Sequence, residues 1–188
     1  MKNIIILVTL FLMSCTHQDM LKKEIKTVSP DSIIFTDGFD FPVGKPDAKD
    51  YYNAQGFKEN YHLGDDWNGT GGGNTDLGDP IYAIANGYVS FAEDMGGAWG
   101  KIIRIIHYIS DTEKVESFYA HCNEMYFPEG RWVNKGAKIG TIGNCNGVYS
   151  AHLHFEMRNI VGLPIGGGYS SDTTGYINPT EFIKNHRH

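Results

Sequence analysis

The chain has 188 residues, 41 % of them hydrophobic, and carries 16 basic against 22 acidic side chains, a formal net charge of −6 at pH 7. Such a balance lacks the basic footprint of a nucleic-acid partner and offers no polybasic attraction to anionic lipid. Glycine occupies 23 of the 188 positions, well above the usual ~7 %, which suits a compact β fold with many tight turns and disfavours a helical bundle.

Met1-Lys2 is a short basic start, residues 4–13 are an almost unbroken apolar run, and Ser14-Cys15 closes it. The run is too short for a bilayer-spanning helix, which needs about 20 residues, so residues 1–14 read as an export signal. Leu12-Met13-Ser14-Cys15 resembles the bacterial lipobox. That resemblance implies cleavage before Cys15 and acylation of Cys15 with several palmitate-type chains, enough for stable anchoring where one chain would be marginal. Met13 is bulkier than that pattern usually carries, and a plain secreted protein is the alternative. Cleavage removes Lys2 and leaves 15 basic against 22 acidic residues, so membrane association has to come from the lipid on Cys15. Residues 15–30 are polar, mixed in charge and end in Ser29-Pro30, which reads as a tether. What remains, residues 31–185, is the right size for one domain with a real core, followed by a tail at 186–188.

Residues 31–61 are long enough to contribute a strand or an occluding loop. Then comes His62-Leu63-Gly64-Asp65-Asp66. In an extended segment His62, Gly64 and Asp66 share a face, and the missing side chain of Gly64 leaves room for an ion or substrate; in a helix, positions 62 and 66 would still meet one turn apart. Either geometry favours Asp66 over Asp65 as the partner of His62, and an exposed acidic turn is the plain alternative. The glycine-rich stretch 67–77 emerges from this segment and is expected to border any groove beside it. Residues 81–85 and 88–92 read as two short strands around Asn86-Gly87, a pair that tolerates positive φ. Residues 101–107 and 114–121 supply the next pair, across Ser110-Asp111-Thr112. Segment 123–131, with Met125, Tyr126 and Phe127, is a second expected wall or a packed loop. Residues 132–133, 137–142 and 151–157 continue the strand pattern, and 179–184 look like a closing helical turn.

The last of those strands holds His152-Leu153-His154-Phe155-Glu156. Period-two alternation puts both imidazoles and the carboxylate on one face and Leu153 and Phe155 on the other. Imidazoles so spaced can share a metal, or divide between binding metal and moving protons; a half-buried strand with its polar face to water is the plain alternative.

Taken in order, the pieces resemble the LytM or lysostaphin-type peptidoglycan metallopeptidases, family M23. The family's His-x-Gly-x-Asp is seen at 62–66, its Gly-x-Pro segment at Gly78-Asp79-Pro80 with Gly87-Tyr88-Val89 after it, its Tyr-x-His at Tyr119-Ala120-His121, its Val-x-x-Gly and Ile-Gly at 133–136 and 139–140, and its His-x-His-Phe-Glu at 152–156. Ile177-Asn178-Pro179 resembles the end of that domain. The resemblance implies a mainly β, compact antiparallel sheet domain of the duplicated hybrid-motif, barrel-sandwich-like type. It implies one Zn²⁺ held by His62, Asp66 and His154, leaving a fourth position for water or a substrate carbonyl. His121 and His152 then remain free to exchange protons and to stabilise the tetrahedral intermediate, in a division the sequence leaves open. The chain has no His-Glu-x-x-His, so no glutamate of that motif supplies the base. Glu156 either accepts a hydrogen bond from a ligand's second ring nitrogen or pairs with a surface lysine or arginine. His107 reads as structural, and His17, His186 and His188 receive no role. Cys122 and Cys145 are either bridged, which an exported protein permits, or two free thiols.

The function implied is hydrolysis of stem or cross-bridge peptides of peptidoglycan during wall remodelling. Some relatives have lost zinc ligands and instead activate other wall hydrolases, so a non-catalytic peptidoglycan-binding lipoprotein, with regulatory wall proteins as partners, is the second reading. The implied location is the periplasmic side of the outer membrane in a diderm bacterium, or otherwise the outer face of the cytoplasmic membrane.

Overall fold

A computed structural model of the chain describes residues 33–187. The export signal at 1–14, the lipidation site Cys15, the tether to residue 30, and His188 lie outside the described residues.

Among the described residues the strands are β1 (Tyr51–Gln55), β2 (Asp65–Gly69), β3 (Pro80–Tyr82), β4 (Gly87–Asp94), β5 (Lys101–Tyr108), β6 (Lys114–Met125), β7 (Trp132–Val133), β8 (Lys138–Ile142), β9 (Leu153–Arg158) and β10 (Tyr176–Ile177), followed by helix α1 (Pro179–Asn185). Their ladders are antiparallel and run β1-β2-β9-β6-β5-β4-β7, with β10 added to β9 and the β3-β8 pair branching from β6. The architecture is the mainly β antiparallel one expected, as a branched sheet that does not close into a barrel.

The sheet has two buried faces. Ile81, Val89, Ile103, Ile105, Tyr119, Leu153, Phe155 and Met157 belong to the main core. Each large apolar side chain fully buried there contributes about 1.5–3 kcal/mol. A smaller cluster of Ile102, Phe118 and Ala120, with Phe91, Trp99 and Ile165 packed on it, covers part of the other face. Strand β9 alternates as expected: Leu153, Phe155 and Met157 enter the main core, which leaves His154, Glu156 and Arg158 on the opposite face. That polar face does not look onto water, because every residue of β9 is buried. The segment after it folds back over it, Ile165 joining the smaller cluster.

Two local expectations change. Asn86-Gly87 does not turn a hairpin, since β3 pairs with β8 and β4 with β5 and β7. Gly87 is needed for close packing instead: a Cβ there would lie 2.5 Å from Ile105 Cγ2 and 2.7 Å from His107 Nδ1. The chain end is also more than a tail. His186 accepts a backbone hydrogen bond from Phe39 (3.1 Å) and stacks on Phe182 with ring centroids 4.1 Å apart. Helix α1 starts where Asn178 caps it, accepting from the Glu181 N–H at 3.1 Å, with Pro179 in its first turn. Asp65 holds this helix to the sheet by accepting from Thr180 Oγ1 at 2.6 Å. That places Asp65 on the structural side of β2 and leaves Asp66 to the other face.

Candidate metal centre

Register brings the polar groups together. Asp66 on β2 lies directly opposite His154 on β9, and the same row continues to Ala120 on β6, which is buried in the smaller cluster. His62 arrives differently. It precedes β2 and is fixed by a bridge to Tyr169, a hydrogen bond from Leu63 N–H to Gly168 O (2.9 Å) and one from Lys58 N–H to its own carbonyl (2.8 Å). Three residues just before it, Lys58, Asn60 and Tyr61, have φ of 70°, 50° and 67°, a concentration of non-glycine left-handed backbone that surrounding contacts must hold in place. Gly64 does not make room for an ion. A Cβ there would run into the Phe155 carbonyl and lie 2.9 Å from Glu156 Cγ, so its missing side chain lets the 62–66 segment press against β9.

The three side chains point at one another. His154 Nδ1 lies 3.0 Å from Asp66 Oδ1 and 3.0 Å from His62 Nε2, and His62 Nε2 lies 3.3 Å from Asp66 Oδ1. Two imidazole nitrogens facing each other at that distance need either a ring proton or a cation between them. The charge balance agrees. For His154 burial opposes protonation, yet the carboxylates of Asp66 and Glu156 outweigh it and raise the imidazole to about 9. For Asp66 burial likewise opposes ionisation, and the hydrogen bonds from His154 and His62 overcome it, holding the carboxyl well below the usual carboxylate range. Two nitrogens and one oxygen, all within 4.8 Å of one another, are a donor set that fits a borderline divalent cation such as Zn²⁺. The far nitrogen of His154, Nε2, is 3.0 Å from Glu156 Oε1, and Glu156 also pairs with Arg158. Glu156 thus joins the His154 ring to an arginine, and that arginine is buried rather than at the surface. His62 Nδ1 is buried without a hydrogen-bond partner among the described residues.

His121 reaches the same place by a break in alternation. Phe118 and Ala120 belong to the smaller cluster and Tyr119 to the main core, so a regular strand would turn His121 into the main core. Instead His121 adopts φ 61°, the pairing shifts register between Cys122 and Glu124, and Cys122 takes the main-core position. The His121 ring ends 4.7 Å from that of His152 and 5.7 Å from that of His154. Its Nδ1 lies 3.3 Å from the Trp99 carbonyl. Burial first, and then the neighbouring His154 and His152, push it down to about 3, so it stays uncharged. His152 donates from Nδ1 to Ser150 O at 2.9 Å, which turns Nε2 toward the centre, 3.9 Å from Asp66 Oδ1.

Asp66, His121, His152 and His154 line a cleft of about 240 Å³ whose walls are Ala98, Trp99, Tyr149 and residues 167–169. The walls expected at 67–77 and 123–131 are not there. The first segment instead braces the approach to the histidines from behind: Asn74 Oδ1 accepts from Ala151 N–H at 2.8 Å and Trp67 is buried edge-on to Phe41. In the second, Phe127 packs on the main core and Tyr126 donates to Glu124 at 2.6 Å. Trp99, Tyr149, Gly168 and Tyr169 were not singled out from sequence. The run Gly166-Gly167-Gly168-Tyr169 was the readable signal, since Gly168, at φ 76°, approaches Trp99 so closely that a Cβ would lie 3.2 Å from its Cη2. Cys122 and Cys145 are free thiols, not a bridge. Cys122 Sγ faces the Tyr119 carbonyl within its own strand, whereas Cys145 Sγ lies 3.2 Å from His121 Nδ1 and 3.3 Å from Ala98 O.

The family model described as Peptidase family M23 matches residues 65–171, a span that holds Asp66, His121, His152, His154 and Glu156 and begins just past His62. This chain belongs to peptidase family M23. It is 40 % identical over 81 residues to Lipoprotein NlpD of Yersinia enterocolitica, covering 43 % of this chain and 78 % of that protein. It shares its fold with the catalytic domain of the antimicrobial peptidase lysostaphin from Staphylococcus simulans, at a TM-score of 0.50 and 22 % identity over 78 % of this chain and 89 % of that one. A zinc containing peptidase from Vibrio cholerae is 25 % identical with a TM-score of 0.53, over 65 % of this chain and 37 % of that one.

Proposed function

We propose that this M23 protein is a zinc endopeptidase that hydrolyses peptide bonds in the stem or cross-bridge peptides of bacterial peptidoglycan, working as an exported lipoprotein anchored through Cys15. The observation that carries the reading is the convergence of His62, Asp66 and His154 at 3.0–3.3 Å beside two further histidines that stay outside the triad. In this reading the triad holds one zinc ion, which when bound acidifies a water molecule and polarises the scissile carbonyl.

The chain's own residues do the remainder. His152, with its Nδ1–H committed to Ser150 O, offers Nε2 as the base that takes the attacking water's proton and returns it to the departing amine. His121 is kept uncharged by burial; with Nδ1 donating to Trp99 O, its Nε2 accepts a hydrogen bond that orients the incoming water or a substrate N–H. Residues 167 and 168 offer bare glycine backbone along one wall, against which an extended peptide can lie. Glu156 fixes the His154 ring.

A non-catalytic wall-binding module would leave His121 and His152 without a task, which is why the enzymatic reading is preferred. The likeness to Lipoprotein NlpD of Yersinia enterocolitica supports export and anchoring. The location proposed is the periplasmic side of the outer membrane if the source is a diderm, or otherwise the outer face of the cytoplasmic membrane. Digestion of purified peptidoglycans of defined cross-link type, followed by mass analysis of the products, tests the activity. Peptide fragments released by the zinc-loaded protein and absent after chelation are expected; retention on the wall with no fragments would establish the binding module instead.

A further inference from the structure

Arg158 is fully buried and ends β9 on the face that carries His154 and Glu156. A buried guanidinium left unpaired costs several kcal/mol, so its partners show what it is for. Glu116 lies at 4.0 Å but is already committed to Arg104 at 2.6 Å, so Glu156 is the main counter-ion, contacted by Arg158 Nε at 2.8 Å and by Nη2 at 2.6 Å. The other oxygen of the same carboxylate accepts from His154 Nε2 at 3.0 Å. One carboxylate therefore separates the arginine from the triad.

The opposite edge of the guanidinium faces a different part of the chain. Nη1 donates to Leu163 O and Nη2 to Ile165 O, each at 3.3 Å, while the plane is held between Phe118 (4.4 Å) and Tyr176 (5.1 Å). Directly after Ile165 the chain becomes the cleft wall. There Gly166 O accepts from Trp99 Nε1 at 3.1 Å and Gly168 O from Leu63 N–H at 2.9 Å, next to His62. The glycines of this wall supply no side-chain packing of their own, so its position depends on these backbone anchors.

We propose that Arg158 is a positioning residue that couples the orientation of His154 to the placement of segment 163–169, which ends in the cleft wall at 167–169, so that metal binding orders that segment and its displacement weakens the metal site. The proposal rests on the reading of His154 as a zinc ligand. The planar fork is what allows both tasks, because a lysine could satisfy Glu156 or a carbonyl but not all three partners in fixed geometry.

The test uses the full chain and reads two quantities: zinc affinity by competition with a chelator, and hydrogen exchange of residues 163–169 with and without zinc. In the wild type zinc is expected to slow exchange in 163–169. Arg158→Lys, with its fold checked by circular dichroism, is expected to lose that zinc-dependent slowing and to bind zinc about 10-fold more weakly; Glu156→Gln is expected to weaken zinc within the 10–100-fold range of such supporting partners. A folded Arg158→Lys protein with wild-type zinc affinity, or wild-type protein that binds zinc with unchanged exchange in 163–169, would overturn the coupling. The second comparison needs no variant. Wild-type protein that binds no zinc at all would instead sink the zinc reading itself.

Discussion

His107 and His154 are both buried histidines on neighbouring parts of one sheet, and their surroundings drive them in opposite directions. His107 meets only neutral groups: Asn86 O at 3.0 Å, Ser117 Oγ at 2.7 Å, and the edge of Phe39. With no carboxylate near, burial pushes it down to about 4 and it stays neutral. His154 sits between Asp66 and Glu156, which overcome the same burial and raise it to about 9. Burial alone does not distinguish a histidine that holds a fold together from one that belongs to a cation site. The partners do: neutral ones satisfy the ring, whereas carboxylates and a second imidazole call for a positive charge.

The sharpest way to break this contrast is to truncate each ring in turn. His154→Ala is expected to reduce peptidoglycan cleavage to background, while His107→Ala keeps cleavage per folded molecule and loses about 2–4 kcal/mol of stability through its unsatisfied partners and cavity, read by denaturant titration. Next in size, His121→Ala should lower kcat/KM about 10²–10⁴-fold while zinc content is unchanged, as expected for a proton-handling or orienting group outside the triad.

The metal-free protein offers an electrostatic version of the comparison. His107 and His121, depressed to about 4 and about 3, bind a proton more readily when unfolded, so stability should rise with pH up to about 6.5, the ordinary histidine value. His154, raised to about 9, contributes stability that is complete below about 6.5 and is lost as pH climbs through 9. Thermal melts of chelated protein should therefore peak near neutrality, and a melting temperature still rising from pH 7 to 9 would contradict the charge assignment. Smallest of all, Tyr169→Phe removes the hydroxyl that donates to Gln55 Oε1 at 3.0 Å on the cleft rim; a KM increase of about 2–10-fold with kcat unchanged is expected for a rim hydrogen bond.

Much of this was legible in the chain because it is written in short-range periodicity. The alternation at 152–156 correctly assigned Leu153 and Phe155 to the core and His154 and Glu156 to one opposite face, and glycine density announced a β fold. What the sequence hid was long-range. Nothing local reveals that residues 163–169 fold back over β9 and turn its polar face into a buried one, so the burial of Arg158 has no signature in its own neighbourhood. Alternation even misdirects at His121, where a left-handed residue reverses its side; only the likeness to a Tyr-x-His motif placed it with the others. Asn86-Gly87 carried a hairpin signature, but its glycine answers to Ile105 and His107 across the sheet. The 67–77 stretch carried composition suited to a groove wall, yet Asn74 and Trp67 tie it to the back of the site.

The central claim is that His62, Asp66 and His154 hold one zinc ion and that His107 has no part in it. Metal content of the purified protein, measured after dialysis against metal-free buffer, tests this most directly in the wild type, His154→Ala and His107→Ala. One zinc per chain in the wild type and in His107→Ala, with none in His154→Ala, is the predicted result; zinc absent from the wild type, or retained by His154→Ala, would contradict it.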